Sequence, residues 1–169
     1  MKFQSPKGTY DVLPETSIKL RELVSRATRV LDLYGFSQIE TPIFESSELF
    51  KRAVGGTTDI VSKEMYEFKD KADRDLTLRP EGTAGVVRAY IQNHLDQKGV
   101  ERLWYFGPMF RYEQPQEGRQ RQFTQLGVEV FGDPGPVVDA EVIELFIGIC
   151  ESLGLTDLKV QLNSLGCEK

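Results

Sequence analysis

The sequence has very few of the residues that most often build metal sites and disulfide frameworks. Among its 169 residues there is one histidine, His94, and there are two cysteines, Cys150 and Cys167. One histidine excludes a site with several histidine ligands and argues against a histidine-based catalytic triad. The cysteines lie far apart in no metal-ligand spacing, which is typical of a protein from a reducing cytosol. We therefore expect a cytoplasmic protein with Cys150 buried as a thiol and His94 exposed to solvent.

Long apolar runs and an excess of basic charge are also missing. No segment approaches the roughly 20 apolar residues that a membrane-spanning helix needs, and the N-terminus has no apolar region of a signal peptide. Lys and Arg total 21 against 26 Asp and Glu, giving a formal net charge of −5. Nucleic-acid binders normally carry a basic excess, although a local basic patch can act inside an acidic protein. We expect no membrane partner, and composition leaves nucleic-acid binding open.

The residues that are present suit one globular domain, with 40% hydrophobic and 28% charged residues around one sizeable core. Apolar residues recur at three- and four-residue spacing over 18–34, and a helix is also predicted over 137–153. Another helix is predicted from residue 81 or 82 to about 95. A short helix within 44–63 is expected to lead into a Gly-Gly-Thr-Thr loop at 55–58.

Strands are predicted between these helices and at the end of the chain. They cover residues 36–40, 65–69, 76–79, 102–112, 122–131 and 158–163. Two of the pairs are expected to be antiparallel hairpins, joined by a charged turn at 70–74 and by a polar loop at 113–122. Because the strands do not alternate strictly with helices, the pattern predicts an α+β fold, with an antiparallel β-sheet and packed helices.

Polar and apolar side chains alternate along three of the predicted strands. Even positions of the last long strand carry Leu126, Val128 and Val130, and odd positions include Gln125, Gly127 and Glu129. The polar faces of the other two strands include Thr77, Arg79 and Glu81, and Gly107, Arg111 and Glu113. Glycine within a strand often marks a close approach by a ligand or by backbone. If these faces align, they form a charged ligand platform, and the alternative is the solvated outer face of an antiparallel sheet.

Five segments resemble the histidyl-tRNA synthetase family. Residues 76–90, LTLRPEGTAGVVRAY, resemble the family segment that opens the amino-acid pocket. Residues 103–132, LWYFGPMFRYEQPQEGRQRQFTQLGVEVFG, resemble motif 2 of class II aminoacyl-tRNA synthetases. The segments KGTYDVLP at 7–14 and IETPIFE at 39–45 resemble the N-terminal signature and motif 1, and NSLG at 163–166 resembles the strand that ends this half of the catalytic core.

This resemblance implies a class II aminoacyl-tRNA synthetase-like catalytic core that activates histidine with ATP and transfers it to tRNA(His). It also implies a cytoplasmic homodimer built through motif 1, with Mg²⁺ bridging the phosphates of ATP. Residues 1–169 would form a single partial catalytic domain. The second histidine-specific motif, motif 3 and the anticodon-binding domain are not found in the sequence, so a truncated chain is expected.

The resemblance also implies roles for particular residues. Arg111 is expected to be catalytic, because a fixed guanidinium offsets the negative charge that builds on the α-phosphate. The implied ATP-binding residues are Arg111, Glu113, Arg119 and Phe123. The implied histidine-binding residues are Glu81, Thr83, Gln125 and Glu129, with Glu129 accepting from a ring N–H. Protein ligands of a metal are not identified.

Each assignment has a structural alternative. Arg111 and Glu113 would otherwise form a surface ion pair, and Glu81 would be an acid in the first turn of a helix. Phe123 would otherwise pack in the core. Arg119 would be a solvated loop charge instead of a contact to phosphate or to the tRNA acceptor end.

Two other functions compete with the enzyme. One is a synthetase-like regulatory subunit that binds histidine and activates an ATP phosphoribosyltransferase, and the other is a catalytically inert dimerising fragment. The RPEGT run at 79–83 and the pair Arg111 and Glu113 favour the catalytic branch of the family.

Overall fold

A computed structural model describes residues 3–53, 64–99, 101–116 and 118–163 of the chain. The loop at 55–58, Cys167 and the end of the NSLG segment lie outside the described residues. The elements found are α1 (Pro14–Leu33), β1 (Ser37–Gln38), β2 (Phe44–Ser46), α2 (Ser47–Ala53), β3 (Tyr66–Lys69), β4 (Asp75–Leu78), α3 (Thr83–Gln92), a 3₁₀ turn (Leu95–Lys98), β5 (Glu101–Phe110), β6 (Gln122–Phe131) and α4 (Pro136–Ser152).

The first helix confirms the prediction over 18–34 but begins four residues earlier. Pro14 occupies its first turn, where the fixed φ of proline suits a helix and the missing N–H would have had no partner. The helix ends at Leu33, with Tyr34 as its C-cap. Ala27 and Leu31 are fully buried on its apolar face.

The long hairpin forms as predicted and belongs to a three-stranded sheet. The strand order is β1-β5-β6, in which β1 is parallel to β5 and β5 is antiparallel to β6. Pairing runs without interruption from Glu101 opposite Phe131 to Phe110 opposite Gln122. Pro108 therefore leaves the alternation of faces intact, so that every odd position of β5 lies on one face.

A second three-stranded sheet has the order β2-β4-β3 and is wholly antiparallel. The predicted pair of strands around the 70–74 turn is confirmed by β3 and β4. Strand β2 was not predicted, because residues 44–46 were assigned to the short helix that in fact begins at Ser47. Since β4 lies in a different sheet from β5 and β6, the expected platform cannot be one continuous three-stranded surface.

The two faces of β5 and β6 pack against different helices. On the even face, Trp104 packs with residues of α1 and α4, and Leu126, Val128 and Val130 lie against the same cluster. On the odd face, Val86 of α3 packs with the side chains of β5. The remaining polar part of the odd face is the surface on which a site can be built.

Some predictions at the edges of elements are wrong. Helix α3 ends at Gln92, because His94 adopts a left-handed backbone conformation with φ +54°. Residues 158–163 form no strand in the described part of the chain, contrary to the prediction. Residues 158–162 instead border an apolar cavity of about 530 Å³ beside β6 and α4. His94 is exposed as expected, whereas Cys150 is a free thiol that is only partly buried.

Candidate active site

The odd face of β6 carries a row of side chains that joins two different surroundings. Phe123, Gln125, Gly127 and Glu129 follow one another at alternate positions of this strand. They lie opposite Met109, Gly107, Tyr105 and Leu103 of β5, respectively. Acidic and hydroxyl groups surround Glu129 at one end of the row. Arginines surround Phe123 at the other end.

Tyr105 is buried between two glycines, and this close packing shapes the first end. A Cβ atom at Gly127 would overlap the phenol Oη and Cζ of Tyr105. A Cβ atom at Gly82, the N-cap residue of α3, would overlap the other edge of the same ring. Any side chain at either position would therefore displace the ring. Gly127 is the interior strand glycine that the sequence had marked as a close-approach position, and the group approaching it is Tyr105.

Short hydrogen bonds connect the polar groups around this ring. The Thr83 hydroxyl donates to Oε1 of Glu129 at 2.7 Å. The two carboxylate oxygens of Glu81 accept from the N–H groups of Thr83, at 2.6 Å, and Ala84, at 2.9 Å. Glu81 thus caps the first turn of α3 from just before the helix, whereas its structural alternative had placed it inside that turn. Each carboxylate oxygen has a second lone pair, so this contact leaves Glu81 able to accept from a ligand.

Burial changes the acid–base behaviour of this pocket. It raises the pKa of Glu129 above its ordinary value, with the Thr83 hydrogen bond opposing and the charge of Glu81 adding to the shift. Burial likewise raises the pKa of Tyr105, with the Thr83 hydrogen bond opposing and Glu129 and Glu81 adding to the shift. Two carboxylates in a half-buried space create a demand for a donor of hydrogen bonds or for a cation. We call Glu81, Thr83, Tyr105 and Glu129 the acidic pocket.

Gln125 lies between the two ends and has an unmet hydrogen-bonding requirement. Its Oε1 atom is buried and accepts no hydrogen bond from the described residues. An orphaned buried acceptor costs about 1–3 kcal/mol. A ligand or a water molecule that donates at this point would remove that cost.

Arg79 connects the second sheet to this surface. Its Nε donates to the Pro108 carbonyl at 2.9 Å, and its Nη1 donates to the Thr41 carbonyl at 2.8 Å. The guanidinium also covers Gly107, where a Cβ atom would overlap Nη2. Burial lowers the pKa of Arg79, against the opposing charge of Glu40. These contacts hold the end of β4 against β5. They bring Glu81, which follows β4, beside Glu129 of β6, although β4 and β6 belong to different sheets.

The opposite end of the row is an open cleft of about 590 Å³. Arg111 donates from Nε to the Pro80 carbonyl at 2.9 Å, and its guanidinium carbon lies 5.3 Å from the centre of the Phe123 ring. One carboxylate oxygen of Glu113 lies 4.0 Å from Nη1 of Arg111, and the other lies 3.6 Å from Nη1 of Arg119. We call Arg111, Glu113, Arg119 and Phe123, with the space they border, the arginine cleft.

These contacts bear on the alternatives for the cleft residues. The side chains of Arg111 and Glu113 are 26% and 17% exposed, so they are not a freely solvated ion pair. The Arg119 side chain is 65% exposed, and its guanidinium lies 3.6 Å from a carboxylate oxygen of Glu113. Phe123 packs against the cluster around Met109 and also faces Arg111, so it has both a core contact and a cleft contact.

The eight residues singled out in the sequence therefore lie along or beside the β6 row, with Phe123, Gln125 and Glu129 on β6 itself and the other five reaching it from the β5–β6 connection and from the start of α3. Two further residues that shape this surface, Tyr105 and Arg79, were not assigned a role from the sequence. Parity places Tyr105 on the polar face, at the odd position two residues before the marked Gly107, and this was the available sequence signal. The described residues contain no group of three or more His, Cys, Asp or Glu side chains that could hold a metal ion. None of the described helices has the length and apolarity to cross a membrane.

Comparison with known proteins gives matches over nearly the whole chain. The sequence model of the histidyl-tRNA synthetase family matches residues 8–167. A histidine–tRNA ligase from Thermosynechococcus vestitus is 57% identical over 167 residues, covering 98% of this chain and 39% of the relative. The crystal structure of apo S. aureus histidyl-tRNA synthetase is 44% identical with a TM-score of 0.77, and covers 91% of this chain and 35% of that one.

A further structural match has a two-part description. It is the crystal structure of an ATP phosphoribosyltransferase regulatory subunit/histidyl-tRNA synthetase from Bacillus halodurans, with 31% identity and a TM-score of 0.79. The match covers 92% of this chain and 39% of that chain. The present chain thus spans about two fifths of the length of the relatives it matches. Because the family model matches almost every residue of the sequence, the chain belongs to the histidyl-tRNA synthetase family.

Proposed function

We propose that this chain forms the part of a class II catalytic domain that binds ATP and histidine and promotes formation of histidyl-adenylate. The observation that carries the proposal is the row on β6, which links an acidic pocket to an arginine cleft through the orphaned acceptor of Gln125. Adenylate formation requires such a surface, since a cationic amino acid must meet a polyanionic nucleotide at one point. Family membership supports the same reaction.

The acidic pocket is proposed to bind histidine. The Thr83 hydroxyl already donates to Oε1 of Glu129, whereas Oε2 of Glu129 accepts no hydrogen bond from the described residues. We assign Oε2 to a ring N–H of the substrate, while Glu81 and Thr83 receive its ammonium group. Gln125 contacts the amino-acid end that points to the cleft. A side chain without a ring N–H would leave Glu129 unpaired in a half-buried space, which is a strong basis for discrimination.

The arginine cleft is proposed to bind ATP. In the reaction, a carboxylate oxygen of histidine attacks the α-phosphorus. The bond from that phosphorus to the bridging oxygen breaks, and pyrophosphate leaves with the electron pair. Arg111 is assigned to the α-phosphate, where preorganised positive charge stabilises the transition state. Phe123 is assigned to stack on the adenine, Glu113 to lie near the adenine, and Arg119 to contact a phosphate.

Mg²⁺ would enter with ATP and would supply further positive charge to its phosphates. The described residues contain no cluster of three or more carboxylate, histidine or cysteine ligands that fits a bound ion. The proposal assigns charge stabilisation by this chain to Arg111 and Arg119.

The larger assembly is part of the proposal as well. We assign residues 1–169 to a single partial catalytic domain, because the chain matches only about two fifths of each relative. In a full-length protein, transfer of histidine to tRNA(His) is expected to require the remainder of the chain, whereas the motif 1 segment at 39–45 is proposed to contribute to a homodimer interface. A cytoplasmic location is proposed from the cysteine usage and the family.

A second candidate function has one observation in its favour. The Bacillus halodurans match is described as an ATP phosphoribosyltransferase regulatory subunit as well as a synthetase. A regulatory subunit would bind histidine without making an adenylate. Its acidic pocket would be needed, whereas its arginine cleft would not.

The deciding experiment is amino-acid-dependent ATP–pyrophosphate exchange, measured across all twenty amino acids in the protein at its natural full length. We expect exchange with histidine alone. Arg111→Ala should lower it roughly 100- to 1,000-fold, the usual cost of removing one fixed donor at a developing anion. Arg26→Ala, on the exposed side of α1, is the matched control and should leave the rate unchanged. Histidine binding without exchange would instead support the regulatory function.

A further inference from the structure

The N-terminal arm, residues 3–13, contacts the loop that contains the arginine cleft. We call residues 111–121 the β5–β6 loop. The carbonyl oxygen of Gly8 accepts hydrogen bonds from the N–H groups of Arg121, at 2.8 Å, and Gln122, at 3.2 Å. These donors lie where the loop ends and β6 begins. Gly8 and Arg121 are more than 100 residues apart in the sequence. The arm therefore contacts the end of this loop from a distant part of the chain.

Only glycine fits at this contact. Gly8 has φ +82°, a conformation that other residues adopt at a cost. A Cβ atom there would lie 2.7 Å from Cγ and 2.9 Å from Cδ of Arg121. The aliphatic part of the Arg121 side chain thus packs directly on the Gly8 backbone, and neither can move without the other.

Arg121 also contacts the opposite end of the same loop. Its carbonyl accepts the N–H of Arg111 at 2.8 Å, and its Nε donates to the Glu113 carbonyl at 3.0 Å. Its guanidinium lies over the ring of Tyr112, 4.0 Å from the ring centre. Arg121 therefore contacts three consecutive residues at the start of the loop. At the end of the loop, the arm holds the backbone of Arg121.

Two of the three residues held in this way border the arginine cleft. Arg111 and Glu113 line that cleft, whereas Arg121 does not. The contacts of Arg121 thus reach the cleft through Arg111 and Glu113, whose positions they fix. Tyr112, the third, is held further by its N–H, which donates to the Glu64 carbonyl at 2.7 Å, and by the edge of the Tyr66 ring.

We propose that Gly8 and Arg121 form a latch between the arm and the β5–β6 loop, and that this latch positions Arg111 and Glu113 for nucleotide binding. Arg121 is a positioning residue in this arrangement. The proposal rests on the function proposed above, and it adds that the arm controls the nucleotide end of the site and leaves the acidic pocket unaffected.

The test is Gly8→Ala in the full-length protein, with Gly154→Ala as the control. Gly154 shares the positive φ, at +89°, but a Cβ atom there meets nothing within 4 Å. We expect Gly8→Ala to raise the KM for ATP in pyrophosphate exchange roughly tenfold, the effect of losing one or two hydrogen bonds. The KM for histidine should stay unchanged. Amide hydrogen exchange at Arg121 and Gln122 should become faster in Gly8→Ala alone.

A second variant, Arg121→Met, keeps the apolar stem and removes the guanidinium. It should raise the KM for ATP in the same direction, without strain at Gly8. Unaltered ATP KM and amide protection in Gly8→Ala would overturn the latch, as would equal increases in both KM values. If the wild-type protein exchanges with no amino acid, the proposed function fails first and the positioning role fails with it. Wild-type exchange with unaltered variants would refute the latch alone.

Discussion

The two ends of the β6 row differ in how completely their polar groups are already bonded. In the acidic pocket, contacts of 2.6–2.9 Å join Glu81 and Glu129 to their donors. In the arginine cleft, the ion pairs of Glu113 are longer, at 3.6 and 4.0 Å, and Arg119 is largely exposed. The acidic pocket thus has its shape before a ligand binds, whereas the cleft holds separated charges around open space.

This difference suggests a division of roles. A pocket of fixed shape with half-buried carboxylates suits selection of one small amino acid, because a wrong side chain cannot be accommodated by rearrangement. An open cleft of opposite charges suits a large, flexible anion. Substitutions at the first end should therefore be costly and specific for histidine, and most substitutions at the second should be mild and specific for ATP.

The largest effect on the pocket is expected from Gly127→Ala. The added Cβ would overlap the Tyr105 phenol, and overpacking of this kind typically costs about 1–3 kcal/mol, or up to roughly 100-fold in a rate ratio. We expect kcat/KM for histidine to fall by that order, with little change in the KM for ATP. Steady-state pyrophosphate exchange measures both kinetic parameters, and urea unfolding measures the loss of stability.

The control for this change is Gly148→Ala, where the new Cβ would meet only Val30, at an ordinary 3.6 Å. It should leave both KM values as they are. A Gly127→Ala enzyme with normal histidine kinetics would mean that the Tyr105 ring can move aside, and that the acidic pocket is not rigid.

A comparable effect is expected from Glu129→Gln, which keeps the size of the side chain and removes its charge. A hydrogen bond to a charged group contributes about 1.5–3 kcal/mol, so kcat/KM for histidine should fall roughly 10- to 100-fold. Glu144→Gln, at an exposed position of α4, is the matched control. If Glu129→Gln raised the KM for ATP instead, Glu129 would have been assigned to the wrong end of the row.

The pH dependence of stability gives a further test of the same residue. Burial raises the pKa of Glu129 above its ordinary 4.5, so the folded protein keeps this proton to a higher pH than the unfolded chain does. The Glu129 contribution to the free energy of unfolding therefore falls as pH rises from 4.5 through the raised pKa. Urea unfolding of wild type and Glu129→Gln should show the variant gaining relative stability over that window. A constant difference would mean that Glu129 ionises normally.

The smallest effect should come from Arg119→Ala in the arginine cleft. Arg119 is 65% exposed and lies 3.6 Å from Glu113, and exposed ion pairs contribute about 1 kcal/mol or less. We expect the KM for ATP to rise less than about fivefold, with histidine kinetics unchanged. A loss as large as that of Arg111→Ala would show that the cleft closes around ATP and buries Arg119.

Much of the local structure could be predicted from residue patterns. The apolar spacing in 18–34 identified α1, and alternation identified both strands of the long hairpin with the correct faces. The predictions failed where pairing decides the outcome. Residues 44–46 form a strand because β4 lies beside them, and residues 158–163 are irregular although their pattern had predicted a strand.

The candidate site was predicted from strand parity together with family resemblance, and the structure brings its eight residues close to the β6 row, while their roles stay predictions. Parity could not identify Tyr105 as part of the acidic pocket. Its position depends on Gly82 and Gly127, which lie 23 and 22 residues away in the sequence. Nor could parity show that Glu81 reaches the pocket from another sheet through the Arg79 contacts.

The sequence by itself determined most of the helical and extended segments, the polar side of both strands of the long hairpin, and the family that the chain resembles. These properties are local, since backbone periodicity and turn residues act over a few positions. Tertiary structure decided which strands share a sheet, why Gln125 has an unpaired acceptor, and how Gly8 meets Arg121. Such contacts join residues that are far apart in the chain, and a periodic pattern specifies the face of a side chain without specifying its partner.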